Sequence, residues 1–119
     1  MNSTKKVGDI WEVIAIKYLQ KKWYQIKDTN FKFWRFWEID IICELNWITS
    51  FIEVKYRNSI KYWVPEEAIT KSKLFKFKKT IEYYVVKNRL DFEKIEFNVI
   101  TILKGLSSYK VKHYKNIEI

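Results

Sequence analysis

The stretch FWEIDIICELNWITSFIEVKYR, Phe36 to Arg57, decides the reading of the fold. Two runs rich in Ile, Val and Phe flank a polar break at Asn46-Trp47, the pattern of two strands joined by a tight turn. With Asn46 and residue 47 as a two-residue loop, Leu45 pairs with Ile48, Ile42 faces Phe51, Asp40 faces Glu53 and Glu38 faces Lys55. Side chains alternate along a strand. Glu38, Asp40 and Ile42 then share a face with Phe51, Glu53, Lys55 and Arg57. Ile39, Ile41, Cys43, Ile52, Val54 and Tyr56 form the opposite, apolar face.

Directly opposed side chains have Cβ atoms about 4.5–5.5 Å apart, and like charges at that distance destabilise the pair. A divalent cation would relieve the repulsion between Asp40 and Glu53. Mg²⁺ is commonly held by one or two carboxylates with waters and substrate phosphate. Lys55, two residues beyond Glu53 on the same face, could reach a metal-bound water or a phosphate. Spacing alone also allows an ordinary polar sheet face in which Glu38 or Glu53 neutralises Lys55.

Outward from the hairpin, Val7 to Lys22 has helical spacing, with Val7, Ile10, Ile14, Ala15, Tyr18 and Leu19 recurring every three or four residues. Glu12 lies on the stripe of Ala15, Ile16 and Leu19, bordering the face that should pack on the sheet. It is a candidate ligand or water-orienting acid, or else an exposed helix acid. Trp23 to Phe33 reads as extended. Pro65-Glu66-Glu67 reads as a helix start, with the helix running to about Lys87 and Ile69, Phe77, Ile81, Tyr84 and Val85 inward. Glu96 to Leu103 and Tyr109 to Tyr114 read as strands. The order αβββαββ predicts a single α/β domain over residues 1–119 with a mixed sheet.

Lys and Arg number 23 against 14 acidic residues, a net charge of +9. The excess suits an acidic partner, nucleic acid above all, although a Lys-, Ile- and Asn-rich composition also follows from an AT-rich genome. Lys71, Lys73, Lys76, Lys78, Lys79 and Lys87 give the second helix a basic surface, suited to a phosphate backbone or simply to solvent. The single cysteine, Cys43, excludes an internal disulfide and reads as a small core residue. No apolar run approaches a membrane span, and MNSTKK lacks a signal-peptide apolar region. The expected setting is cytoplasmic, without a membrane partner. His113 reads as an isolated surface residue.

The chain has two glycines and six tryptophans. Glycine near 7% of residues would give roughly eight in a chain of this length. Several tryptophans stand where turns are expected, as at Asn46-Trp47, where Asn-Gly would be the strongest hairpin signal. This pattern suggests UGA codons that the source lineage reads as glycine. The alternative is a tryptophan-rich protein that stacks exposed rings on bases.

EID at Glu38–Asp40 followed by FIEVKYR at Phe51–Arg57 resembles the YraN-type family of small bacterial proteins. These are predicted endonucleases of the PD-(D/E)xK, restriction-endonuclease-like superfamily, akin to archaeal Holliday-junction resolvases. The resemblance runs from about Lys6 to Ile102. It includes Glu12, Tyr18-Leu19, Asn30, PEEAI at Pro65–Ile69, Lys73 and FNVITI at Phe97–Ile102. The family pattern has glycine where this chain has Trp11, Trp23, Trp37, Trp47 and Trp63, and often aspartate at Asn98.

The resemblance implies a restriction-endonuclease-like αβββαβ core with a central mixed sheet flanked by helices. It implies a Mg²⁺-dependent endonuclease acting on DNA, in which Mn²⁺ can substitute. Glu12, Asp40, Glu53 and Lys55 are the implied catalytic set, with Asp40 and Glu53 as primary metal ligands and Glu12 as the third acid. Lys55 is expected to position water and stabilise charge on phosphate. Arg57, Lys73 and Lys76 are the expected nucleic-acid contacts, and a homodimer is expected where two strands are cut. The alternatives are a nucleic-acid-binding module with a nuclease-like fold and little chemistry, or an accessory subunit of a repair or recombination assembly.

Overall fold

The central hairpin forms in the expected register. Leu45 pairs with Ile48, Ile42 with Phe51 and Ile41 with Ile52. The computed structural model describes residues 5–35, 37–57 and 71–118, with side chains from residue 10 onward. Its elements run α1 (Lys5–Lys21), β1 (Gln25–Phe33), β2 (Trp37–Leu45), β3 (Ile48–Arg57), α2 (Lys71–Lys87), a 3₁₀ turn (Phe92–Lys94), β4 (Ile95–Lys104) and β5 (Tyr109–Tyr114). The sheet order is β1-β2-β3-β4-β5. Among the described strands only β3 and β4 pair in parallel, joined through the crossover that contains α2. The molecule is an α/β fold with a mixed sheet, and the element order contains the αβββαβ core of the restriction-endonuclease-like expectation. The 3₁₀ turn was not expected; Asp91 caps it by accepting from the Glu93 N–H at 2.8 Å. The expected helix start at Pro65-Glu66-Glu67, with Ile69, lies outside the described residues.

Two apolar layers sandwich the sheet. Ala15 and Leu19 of α1 close over Tyr24, Ile41, Cys43, Ile52, Ile100 and Ile102. Phe77, Ile81 and Val85 of α2 close over Ile39, Ile42, Phe51, Phe97 and Val99. Burial raises the Cys43 thiol to about 12, so it stays protonated. Ile10, which the helical spacing groups with Ala15 and Leu19, is 52% exposed. The stripe is centred on Ala15 and Leu19, and a residue five positions before Ala15 lies well off it at 3.6 residues per turn.

The expected face assignment fails at one point. Ile39 belongs to the α2 layer with Ile42, whereas Ile41 belongs to the α1 layer. Strict alternation would keep Ile39 and Ile41 together, so β2 changes face at Asp40. Trp37 packs with Ile39 in the α2 layer, so alternation turns Glu38 to the α1 side, opposite Lys32 of β1. The expected Glu38–Lys55 facing pair is therefore not formed.

Backbone geometry divides the tryptophans. Trp23, Trp34 and Trp47 have φ of 74°, 51° and 70°, a region that costs an L-residue about 1–2 kcal/mol. They are 85%, 85% and 80% exposed. Asn46 also has positive φ, and positive φ at both loop residues is the type I′ condition that favours Asn-Gly. Trp23 follows α1 in a Schellman closure, with Tyr24 N–H donating to the Leu19 carbonyl and Trp23 N–H to that of Gln20, both at 3.0 Å. Glycine is the usual residue there. Trp11 and Trp37 do not have positive φ. Trp11 stacks on Tyr56 at 3.9 Å, though its buried indole N–H has no partner. Trp37 lies against Phe77 at 5.1 Å. Trp63 is outside the described residues.

Recoding of UGA as glycine is thus a proposal that geometry supports at positions 23, 34 and 47. Trp23→Gly and Trp47→Gly are each expected to stabilise the chain by roughly 1 kcal/mol, read from urea midpoints at unchanged slope. Peptide mass spectrometry on protein from the source organism is expected to find glycine at these three positions. Tryptophan at all three would sink the recoding.

Candidate metal and phosphate site

The face change at Asp40 builds the site. The hairpin's pairing ends at Ile41↔Ile52. One residue further, the Asp40 carboxylate replaces a backbone acceptor, and its Oδ2 takes the N–H of Val54 at 2.8 Å. On the other side, the β1–β2 pairs pass from Thr29↔Ile41 to Phe31↔Ile39, leaving out Asn30 and Asp40. Asn30 has φ 52°, a conformation that asparagine tolerates better than most residues. Both ladders that flank β2 are therefore interrupted at the level of Asp40.

Three further groups meet this level. Glu53 is 6% exposed, and its carboxyl lies close enough to that of Asp40 for the two to interact directly. The Trp37 indole donates to Glu53 Oε2 at 3.3 Å. Glu12, half-buried on α1, accepts from Asn30 Nδ2 at 2.7 Å. Lys55 lies in parallel register with Thr101, two residues beyond Glu53↔Val99.

Burial first, then the hydrogen bond and negative charge of Asp40, push the Glu53 carboxyl up to about 9, while Lys55 and Trp37 oppose the shift. A buried carboxyl beside a half-buried one resists ionising together with it unless a cation compensates. A proton fills that role when no metal is bound. The donor set is oxygen-only and suits a hard divalent ion, which would displace the proton. Asp40 and Glu53 therefore fit Mg²⁺ as a two-carboxylate site.

The expected third ligand does not join them. Among the described residues, no group of three His, Cys, Asp or Glu side chains is placed to hold a metal. Glu12 stands at the right level of the sheet but is drawn to Asn30. Of the expected nucleic-acid contacts, Arg57 is half-buried at the end of β3 and donates to the Tyr56 carbonyl at 2.8 Å. Lys73 is half-buried one turn before Phe77, toward the acidic end of the sheet, and Lys76 is exposed beside it.

The family model described as Uncharacterised protein family UPF0102 matches residues 11–102, which contain every residue of this site. The chain belongs to the UPF0102 family. It is 34% identical over 110 residues to a UPF0102 protein of Flavobacterium psychrophilum, covering 92% of this chain and 91% of that one. It is 37% identical over 114 residues to a UPF0102 protein of Alkaliphilus oremlandii, covering 94% and 97%. A UPF0102 protein of Clostridium beijerinckii is also 37% identical, with 94% and 92% covered.

Two polar side chains of this UPF0102 chain have tertiary partners that the sequence does not reveal. Asn30 positions Glu12, and the only local signal was an asparagine inside a strand. His113 is not the isolated surface residue expected. Its ring nitrogens lie 3.4 Å from the Tyr18 hydroxyl and 3.1 Å from Asn98 Nδ2, and burial followed by the Lys115 charge lowers its pKa to about 4. Buried Asn98 also accepts from the Asn116 N–H at 2.9 Å, tying the C-terminal segment to β4.

The raised Glu53 sets a pH dependence. Between the ordinary carboxyl value of 4.5 and about 9, the folded state keeps a proton that the unfolded chain has released. Its stabilising contribution is complete below pH 4.5 and is lost as pH rises through about 9. His113 acts in the opposite direction, and only between about 4 and 6.5. With chelator present, the melting temperature is expected to fall from about pH 7 to about pH 9, and Glu53→Gln to flatten most of that slope. An unchanged slope in Glu53→Gln would assign it to other groups.

Proposed function

We propose that this chain is a metal-dependent phosphodiesterase acting on nucleic acid, DNA first, with the active-site plan of the PD-(D/E)xK nucleases. The observation that carries the reading is the approach of half-buried Asp40 to buried Glu53 at a break in the sheet, with Lys55 two residues along the strand. With both carboxyls ionised, such a pair repels and costs desolvation. A cation-binding role accounts for it. The net charge of +9 supports a polyanionic substrate.

Asp40 and Glu53 would hold Mg²⁺, with Mn²⁺ as substitute. When bound, the ion lowers the pKa of a coordinated water and polarises a phosphoryl oxygen. Asp40 is fixed for this role because Val54 N–H holds one of its oxygens. Glu53 gives up its proton on metal binding. Lys55 brings a positive charge to the phosphate, where negative charge grows as the bond breaks. Glu12, anchored by Asn30, adds a negative charge at the same level and orients water rather than serving as an equal third ligand. Arg57 and Lys73 stand at the same end of the sheet as phosphate contacts. A homodimer would supply two such sites for two strands.

The second reading is a binding module with a nuclease-like fold. The observation in its favour is the two-acid rather than three-acid cluster among the described residues. Single-strand, duplex, flap and four-way-junction DNA, with RNA alongside, incubated with Mg²⁺ or Mn²⁺ separate the two. Metal-dependent cleavage is expected, with Asp40→Asn, Glu53→Gln and Lys55→Ala each lowering the rate on the order of 10²-fold or more. Binding without cutting, unchanged in all three variants, would replace the enzyme by the binding module.

A further inference from the structure

Sequence reasoning assigned nucleic-acid contact to β3 and α2. The β3–β4–β5 register adds another strand. In β5, Tyr114 packs in the α2 layer and Val111 in the α1 layer. Alternation therefore puts Lys112 and Lys110 on the same face as Tyr114. In β3, Tyr56 stacks on Trp11 of α1, so Lys55 and Arg57 take the opposite face.

Pairing through β4 joins these residues into rows. Glu53, Val99 and Tyr114 lie level, then Lys55, Thr101 and Lys112, then Arg57, Leu103 and Lys110. The face thus passes from the acidic pair directly into two rows, each with a cation on β3 and another on β5. α2 packs mainly over β2 and β1. Among the described residues, Arg57, Lys110 and Lys112 make no ion pair. Thr101 is fully buried between Lys55 and Lys112, and its hydroxyl has no hydrogen-bond partner.

We propose that Lys110 and Lys112 of β5, with Lys55 and Arg57, form a surface that carries the phosphate backbone of a nucleic-acid strand to the Asp40–Glu53 pair. This rests on the phosphodiesterase reading for its direction, but the surface can be tested without catalysis. The occupant follows from charge complementarity and from continuity with the acidic pair: two rows of cations suit a repeating anion better than a single small one. The contacts are to phosphate, so they position the strand without reading its sequence.

Fluorescein-labelled DNA strand, duplex and four-way junction, and an RNA strand, would be titrated by anisotropy in chelator over a range of salt. Lys110→Ala/Lys112→Ala is compared with the wild-type chain and with Lys17→Ala/Lys21→Ala, which removes the same charge from the exposed side of α1. The β5 double variant is expected to bind about tenfold more weakly and to lower the slope of log K against log salt by about two, with far smaller changes in the α1 pair. Lys110→Ala alone, at an exposed position, is expected to lower the slope by about one; it keeps the test decisive if the double variant melts early. Equal effects from the β5 and α1 pairs would overturn the surface.

The same proteins are then assayed for cutting with Mg²⁺ or Mn²⁺. Wild-type binding without cutting, weakened by the β5 variants, would end the phosphodiesterase reading and leave the surface standing. Cutting with normal binding by the β5 variants would end the surface alone. No binding by the wild-type chain would end both.

Discussion

The backbone N–H of Val54 donates to the carboxylate of Asp40, and the acidic end of the sheet depends on that bond. An ordinary hairpin would have continued its ladder past Ile41 and Ile52. Here a side chain takes the acceptor role, and the strands no longer pair at the next level. Asp40 is thereby pinned against β3 with Glu53 beside it. Loss of this bond would leave Val54 N–H without its partner and free Asp40 to turn toward solvent.

The same interruption reorganises the packing around it. Because β2 changes face at Asp40, it feeds Ile41 and Cys43 into the α1 layer but Ile39 and Trp37 into the α2 layer. The site sits where the strand crosses from one layer to the other, so acids from β2 and β3 and the helix acid Glu12 can approach one level of the sheet from both sides. The two apolar layers are closely packed on either side of this crossing. The polar groups therefore have fixed positions without forming a polar core.

Much of this was legible in the sequence, and the exceptions have a common cause. The hairpin register followed from the Asn46 turn and two apolar runs, both local signals. The α2 stripe of Phe77, Ile81 and Val85 followed from helical spacing. The face change did not, because it depends on Asp40 meeting Val54 and on the left-handed Asn30, neither of which alters the alternation visible in the residues. His113 was misread for the same reason: Tyr18 and Asn98, which hold it, are far away in sequence. Asn30 was visible only as part of a family resemblance, and its role as the anchor of Glu12 is purely tertiary. For Lys110 and Lys112, the missing information was the strand order that carries β5 alongside β4.

The sheet is open, with β1 and β5 as its two edges, and open edges invite pairing with another chain. Both are blunted. β1 has a register shift between Ile26 and Asp28 and a left-handed residue at Asn30, so its outer backbone cannot present a straight row of donors and acceptors. β5 is six residues long, with lysines at alternate positions. Neither edge is a good template for a sixth strand. Growth of the sheet by addition of further copies is therefore opposed at both ends, which leaves the helices and the sheet faces as the described surfaces on which two copies could meet.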